Sequence, residues 1–249
     1  MSSSSNTKNT TEKEFSVPQK EKESKAFWKE VRQKRKQNLK RKRQTESDQE
    51  RQKRLAKRQR QLALREYWLN TPIEEIPWQK PRIAFDLSWQ QHLSNKEVRS
   101  LVNQCHHFYG FLKRCAVPLE PHFCSLEGET LSRLETTLAG FEKWKIFKHQ
   151  QHVTKVFDHD QLVYLSPEAD NVLFKLDPEK VYIIGGIVDR NRLKGISKSK
   201  ADSLKIPAVR LPIKEVYHQH NLQITSASVN VNTVYEILSM FQQPNDWFE

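Results

Sequence analysis

Residues 181–188 read VYIIGGIV, the most apolar run in the chain. It is far shorter than the ~18 residues a membrane span needs. Its valines and isoleucines favour an extended backbone. A strand apolar on both faces belongs in the middle of a parallel sheet, with helices covering each side. The first question is whether the rest of the chain supplies those helices and the neighbouring strands.

It does, from residue 82 onward. Residues 82–87 (RIAFDL), 122–126, 162–165 (LVYL) and 209–213 (VRLPI) read as further strands. Residues 95–114 read as a helix with Asn95 at its start. Val98, Leu101, Val102, Cys105, Phe108, Tyr109 and Leu112 recur there at helical spacing. Helices are also expected over 129–141, from Pro167 through Leu176, over 197–204 and over 232–242. This alternation predicts an α/β fold with a mostly parallel sheet. Ligands of such sheets bind beyond the carboxyl ends of the strands. The loops after Leu165, Val188 and Leu211 are therefore the ones to watch.

The N-terminal part is different. The 249 residues carry a formal charge of +12, yet residues 20–65 hold 19 Lys and Arg against 6 Asp and Glu, a local +13 that leaves −1 for the remainder. Residues 20–66 contain no Gly or Pro and are rich in helix formers. One or two long basic helices are expected, with Phe27, Trp28, Val31, Leu39, Leu55, Leu62, Leu64 and Tyr67 as scattered apolar contacts. No apolar heptad is sustained, which argues against a coiled coil. The chain is thus read as a disordered tail (1–19), a basic helical arm (20–70), a proline-marked linker (71–81) and a folded domain (82–249).

An arm of this kind suits a phosphate backbone, because each neutralised phosphate releases counterions. Lys34, Arg35, Lys36, Lys40, Arg41, Lys42, Arg43, Lys53, Arg54, Lys57 and Arg58 are the candidate RNA contacts. The same basic runs also fit a nuclear localisation signal or a solvated linker. Residence in the nucleus, the cytoplasm or both is expected.

Several chemistries find no support. The opening MSSSSNTKNTTEKE lacks the apolar stretch of a secretory signal, and three cysteines are too few for a disulfide framework. Cys105, His106, His107, Cys115, His122 and Cys124 match no zinc-ligand spacing, so no metal is expected. Neither GxGxxG, a P-loop, GxSxG nor HExxH occurs. Glycine, however, is concentrated: three of the six fall in GGIVDRNRLKG (185–195), suggesting close backbone approach to a ligand or chain segment. Asp189 follows the apolar run, where a catalytic carboxylate would be placed. It equally suits the cap of a turn.

The stretch VYIIGGIVDRNRLKG (181–195), followed by AVRLPI (208–213) and VNTVYEIL (231–238), resembles the signature of the tRNA (purine-9-N1)-methyltransferase family of the SPOUT superfamily. IAFDLSW (83–89), LVYLSPEADNVL (162–173), a closing Asp246-Trp247 and the basic arm add to the likeness, which covers residues 25–249. The resemblance implies a C-terminal trefoil knot, S-adenosyl-L-methionine as methyl donor, tRNA as substrate and a monomer without metal or membrane attachment. It implies three cofactor loops: Leu165 and Ser166; Gly186, Arg190, Asn191, Arg192, Leu193 and Lys194 with Lys198 close behind; and Leu211 and Pro212 with Asn230, Val231 and Asn232. It also implies that Asp189 is the general base. Residues 220–232 (HNLQITSASVNVN) depart from the family's usual wording. The family contains enzymes for guanine, adenine or both, and the residues do not choose among them. Two other readings stay open: a non-catalytic tRNA-binding partner, and a SPOUT methyltransferase for another RNA site.

Overall fold

The structure is a computed structural model that describes residues 19–115, 117–188, 192–223 and 229–241. The chain divides into two compact units, Met1–Arg60 and Gln61–Glu249, and the division falls within a helix.

The first unit holds α1 (Gln19–Gln44) and the start of α2 (Asp48–Asn70). Between them the chain breaks at Ser47, which caps α2. Its backbone N–H and hydroxyl donate to Glu50 at 3.0 and 3.1 Å, and the Glu50 N–H donates back to the hydroxyl at 3.3 Å. Glu46 accepts a fork of hydrogen bonds from Arg54, at 2.8 to 3.0 Å. Lys34 reaches back one turn to Glu30 at 2.7 Å. Phe27, Trp28 and Leu39 are exposed, so local bonds rather than a core define these helices.

The second unit is built on a seven-stranded sheet in the order β3-β2-β1-β6-β4-β7-β5. The strands are β1 (Gln79–Asp86), β2 (Leu119–Cys124), β3 (Phe147–Lys148), β4 (Leu162–Leu165), β5 (Asn171–Val172), β6 (Val181–Gly185) and β7 (Ala208–Arg210). All six pairings are parallel. Helices α3 (Asn95–Leu112), α4 (Gly128–Thr137), α5 (Val153–Val156), α6 (Ile196–Ser203), α7 (Ile213–Gln219) and α8 (Val231–Phe241) lie between or after them.

Side chains of β1 alternate between two cores. Ile83 and Phe85 join α3 and α8 in one; Ala84 joins Tyr164, Ile183 and Ala201 in the other. Phe85 packs against Phe108 at 4.7 Å and Phe123 at 4.8 Å between ring centroids, and Tyr235 closes the group, its hydroxyl donating to the Leu119 carbonyl at 2.7 Å. Burial on both faces is why residues 181–185 are apolar throughout rather than alternating. α3 starts with a capping box in which Ser94 and Glu97 satisfy each other's backbone N–H groups.

The structure departs from the sequence reading at defined places. The expected helix after Pro167 is a turn leading into β5, an edge strand on β7. Its Leu173 N–H donates to the Arg210 carbonyl at 2.8 Å, satisfying a backbone group without helix formation. The strand expected over 181–188 ends at Gly185, and the Gly186 N–H to the Asp86 carbonyl, 2.8 Å, is a ladder bond to β1 beyond which no β pairing continues among the described residues. The strand expected over 209–213 gives way at Ile213 to α7. The helix expected over 129–141 stops at Thr137, just before Gly140 takes a left-handed φ of 80°. Residues 71–78 contain a 3₁₀ turn (Ile73–Glu75), bury Ile76, and place the half-buried Trp78 against Trp68 and Phe147.

Candidate functional site

The carboxyl ends of β4, β6 and β7 surround a cavity of about 130 Å³. Leu165, Ser166, Pro167 and Glu168 come from the end of β4 and its loop, Ile184, Gly185 and Ile187 from β6 and its continuation, Arg210, Leu211, Ile213 and Lys214 from β7 into α7. Leu193, Lys194, Ile196 and Ser197 enter from the start of α6, and Val229, Val231 and Val234 from the start of α8. β6 lies between β1 and β4, so the cavity sits where the chain's lateral progress through the sheet reverses.

Two elements are fixed there by side-chain bonds. The Ser197 hydroxyl donates to the Ser166 hydroxyl at 2.8 Å, and Ser166 donates in turn to Glu168 at 3.1 Å. This chain ties α6 to the end of β4. The side-chain oxygen of Gln104 accepts the Val231 N–H at 2.8 Å, so α3 satisfies an N-terminal backbone donor of α8. At the rim, Arg210 and Glu215 form a two-bond pair at 2.6 and 2.9 Å.

Of the residues expected to hold a cofactor, Leu165, Ser166, Leu193, Lys194, Leu211 and Val231 share this cavity. Gly186 does not line it but has a steric reason to be glycine: a Cβ there would stand 2.9 Å from both the Asp86 carbonyl and a Leu87 methyl. Arg192 does not line the cavity. Its guanidinium donates to the His92 carbonyl at 2.8 Å and pairs with Glu97 at 3.1 Å. Lys198 pairs with Asp202 at 3.4 Å and Asp170 at 3.9 Å. Pro212 begins α7, Asn230 is exposed, and Asn232 donates to Glu236 at 3.1 Å. Asp189, Arg190 and Asn191 lie outside the described residues, as do Asp246 and Trp247. Sequence reasoning missed Glu168, Arg210, Ser197 and Lys214. The first three lie within three residues of strand ends or of the glycine stretch, which was the available signal.

The arm residues Lys34, Arg35, Lys36, Lys40, Arg41, Lys42 and Arg43 are exposed on α1, and Lys53, Lys57 and Arg58 on α2, with Arg54 half-buried against Glu46. The described residues contain no group of three or more metal-ligating side chains. No helix among them is long and apolar enough to cross a membrane. His122 instead donates from Nε2 to Glu120 at 2.8 Å, leaving Nδ1 to accept from His149 at 3.0 Å.

Comparison with known proteins decides the family. A family model described as tRNA (guanine(9)-N(1))-methyltransferase TRM10/TRM10A matches residues 4–249. The chain belongs to this family. The Drosophila melanogaster tRNA (guanine(9)-N(1))-methyltransferase Trmt10A is 32% identical over 171 residues, covering 66% of this chain and 51% of its own length. The tRNA (guanine(9)-N1)-methyltransferase of Schizosaccharomyces pombe is 32% identical over 174 residues, covering 67% and 55%. The chain spans about half the length of the curated relatives it matches. Among solved structures, the spTrm10 complex with SAH superposes with a TM-score of 0.62 at 30% identity, covering 69% of this chain and 93% of that one. A dual-specific Trm10 from Thermococcus kodakaraensis reaches 0.51 at 19% identity, over 68% and 96%, and shares the fold. The solved TRM10 structures thus share the fold of the parallel-sheet domain.

Proposed function

We propose that this chain uses S-adenosyl-L-methionine to methylate N1 of the purine at position 9 of tRNA, guanine first. The observation that carries the reading is the cavity at the ends of β4, β6 and β7, in a TRM10-family chain whose relative spTrm10 was solved with SAH. The lining fits that molecule's chemistry. Leu165, Leu211, Ile213, Val231 and Val234 offer an apolar bed for an adenine ring and a thioether, and Ser166, Ser197 and Glu168 offer partners for hydroxyl and ammonium groups. When bound, S-adenosylmethionine supplies an electrophilic methyl group on a sulfonium. Leu165, Ser166, Gly186, Leu193, Lys194, Leu211 and Val231 would hold or shape its site.

The residues of the chain then have separate tasks. Guanine N1 carries a proton at neutral pH and needs a base; adenine N1 has a free lone pair and needs only placement. Asp189, which follows the Gly185–Gly186 pair by three residues in sequence, is assigned the proton. A carboxylate with an ordinary pKa of about 4 is a weak base for that task, so its contribution includes orientation of the base. The arm grips phosphates without reading sequence. The SPOUT-type knot, a monomeric enzyme and a nuclear or cytoplasmic residence complete the proposal.

The test is methyl transfer from radiolabelled S-adenosylmethionine to an unmodified tRNA transcript and its position-9 variants. Transfer that requires a purine at position 9, and prefers G over A, supports the reading. Binding of cofactor and tRNA without transfer to any variant points to the non-catalytic partner. Transfer that ignores position 9 points to another RNA site.

A further inference from the structure

Beneath the cavity lies a buried polar cluster that the function above does not use. Asp86, at the carboxyl end of β1, is 0% exposed. Its Oδ1 accepts from the Ser88 hydroxyl at 2.7 Å and the Ser88 N–H at 3.1 Å. Its Oδ2 accepts from the Tyr164 hydroxyl at 2.9 Å and from Lys200 Nζ at 2.6 Å. Lys200 also contacts the Ser88 hydroxyl and stands over the face of Trp89, 4.3 Å from the ring centroid. Burial pushes the Asp86 carboxyl up, but Lys200 and Ser88 outweigh it and hold it below the usual carboxylate range.

The cluster touches the cavity in two ways. Lys200 lies one turn beyond Ser197 on the same face of α6, and Ser197 bonds Ser166 in the cavity wall. The Asp86 carbonyl receives the Gly186 N–H, and the Tyr164 hydroxyl lies 3.2 Å from where a Gly185 Cβ would stand. α6 is therefore pinned to the sheet at two points, Ser197 at the end of β4 and Lys200 on β1, and the glycine-bearing end of β6 lies on the strand between those two.

We propose that Lys200 is a positioning residue for the cavity, seating α6 on Asp86 so that Ser197 and the Gly185–Gly186 end of β6 are held in register. A buried carboxylate stripped of its cation is far more costly than a buried pair replaced as a whole. Removing Lys200 alone should thus loosen α6, whereas neutralising both partners should restore much of its seating. Identification of the ligand rests on the preceding reading, but the seating of α6 does not.

The experiment compares wild type, Lys200→Met and Asp86→Asn/Lys200→Met. Calorimetry measures S-adenosylhomocysteine binding, and hydrogen exchange follows the Gly186 and α6 amides. Lys200→Met is expected to weaken binding by about 10-fold or more and to speed exchange at those amides, with the double variant recovering most of both. Lys200→Met should also make binding pH-dependent. Its unpaired, buried Asp86 has its pKa raised by burial, so affinity falls as pH rises through that pKa while wild type, with Lys200 in place, stays flat. Other groups near Asp86 do not interfere there. Burial pushes Tyr164 well above its ordinary range, Cys124 up to about 12, and His152 below its ordinary value. Binding and exchange in Lys200→Met that match wild type would overturn the proposal, and so would a double variant no better than the single one. Should the single variant not fold, a folded double variant would support it, and failure of both would overturn it. Wild type that ignores S-adenosylhomocysteine would sink the ligand reading, while exchange alone would still judge Lys200.

Discussion

The arm and the domain solve opposite problems with the same twenty residue types. In the arm, Phe27, Trp28 and Leu39 stay exposed, and charges pair with neighbours along the chain: Glu30 with Lys34, Glu46 with Arg54. In the domain, Phe85 is fully buried among Phe108, Phe123 and Tyr235, residues 23 to 150 positions away. Local pairs of the arm's kind are solvent-screened and stabilise little, whereas burying one such aromatic contributes about 1.5–3 kcal/mol. The arm trades stability for charge density, and the domain trades surface for fixed geometry. Affinity for RNA and the chemistry on it should therefore be separable by mutation.

The largest effect expected is on the domain's core. Phe85→Ala should destabilise it by about 3–5 kcal/mol, read from urea denaturation, while Leu39→Ala in the arm should stay within about 0.5 kcal/mol. Equal losses would mean that the arm is packed like a core. Next, Asp189→Asn should lower kcat on a G9 tRNA by about 100-fold or more with little change in KM, and should affect an A9 tRNA less. An equal fall on both bases would remove the proton-acceptor role. Third, replacing Lys40, Arg41, Lys42 and Arg43 by Gln should weaken tRNA binding and reduce the log–log salt slope by up to about 3. Cofactor affinity should not change. Unaltered tRNA affinity would end the phosphate-clamp reading.

The smallest effect concerns acid stability. His122, hydrogen-bonded to Glu120, is the main reason that carboxyl is lowered from 4.5 to about 2, with Lys80 adding to it and burial opposing. A depressed folded pKa contributes stability that is fully present above about 4.5 and is lost as pH falls toward about 2. Glu120→Gln should flatten the acid limb of a stability–pH profile in that window by losing stability near neutral pH and converging on wild type toward about pH 2. Parallel profiles for the variant and wild type would refute the coupling.

Parts of this structure could be read directly from residues. β4 matches its expected span because an apolar run, LVYL, is bounded by Gln161 and a Ser-Pro pair. The alternation of apolar runs with helical spacing gave the parallel sheet for the same reason. β5 was missed because a two-residue edge strand takes its stability from β7, not from its own sequence. Arg192 lies in the right loop, yet its side chain turns to Glu97, and spacing along a chain says nothing about which way a side chain turns. Glu168 and Arg210 become neighbours of the cavity only once β4 and β7 pair.

The position of β6 also has a consequence for how the chain assembles. β1, β2 and β3 form one half of the sheet, and β4, β7 and β5 the other; β6 alone joins them, between β1 and β4. It follows β1 by about a hundred residues, so during synthesis the first half waits with an open edge for its partner. Long-range parallel pairing of this kind is slow to form, and unpaired edges invite association with other chains. A nascent or truncated chain ending before Val181 would present β1 as a bare edge and leave β4 without either of its neighbours, β6 and β7. The strand that ends at the glycine pair is then also the one that closes the sheet against aggregation, and the cavity cannot exist in any chain whose folding stopped short of it.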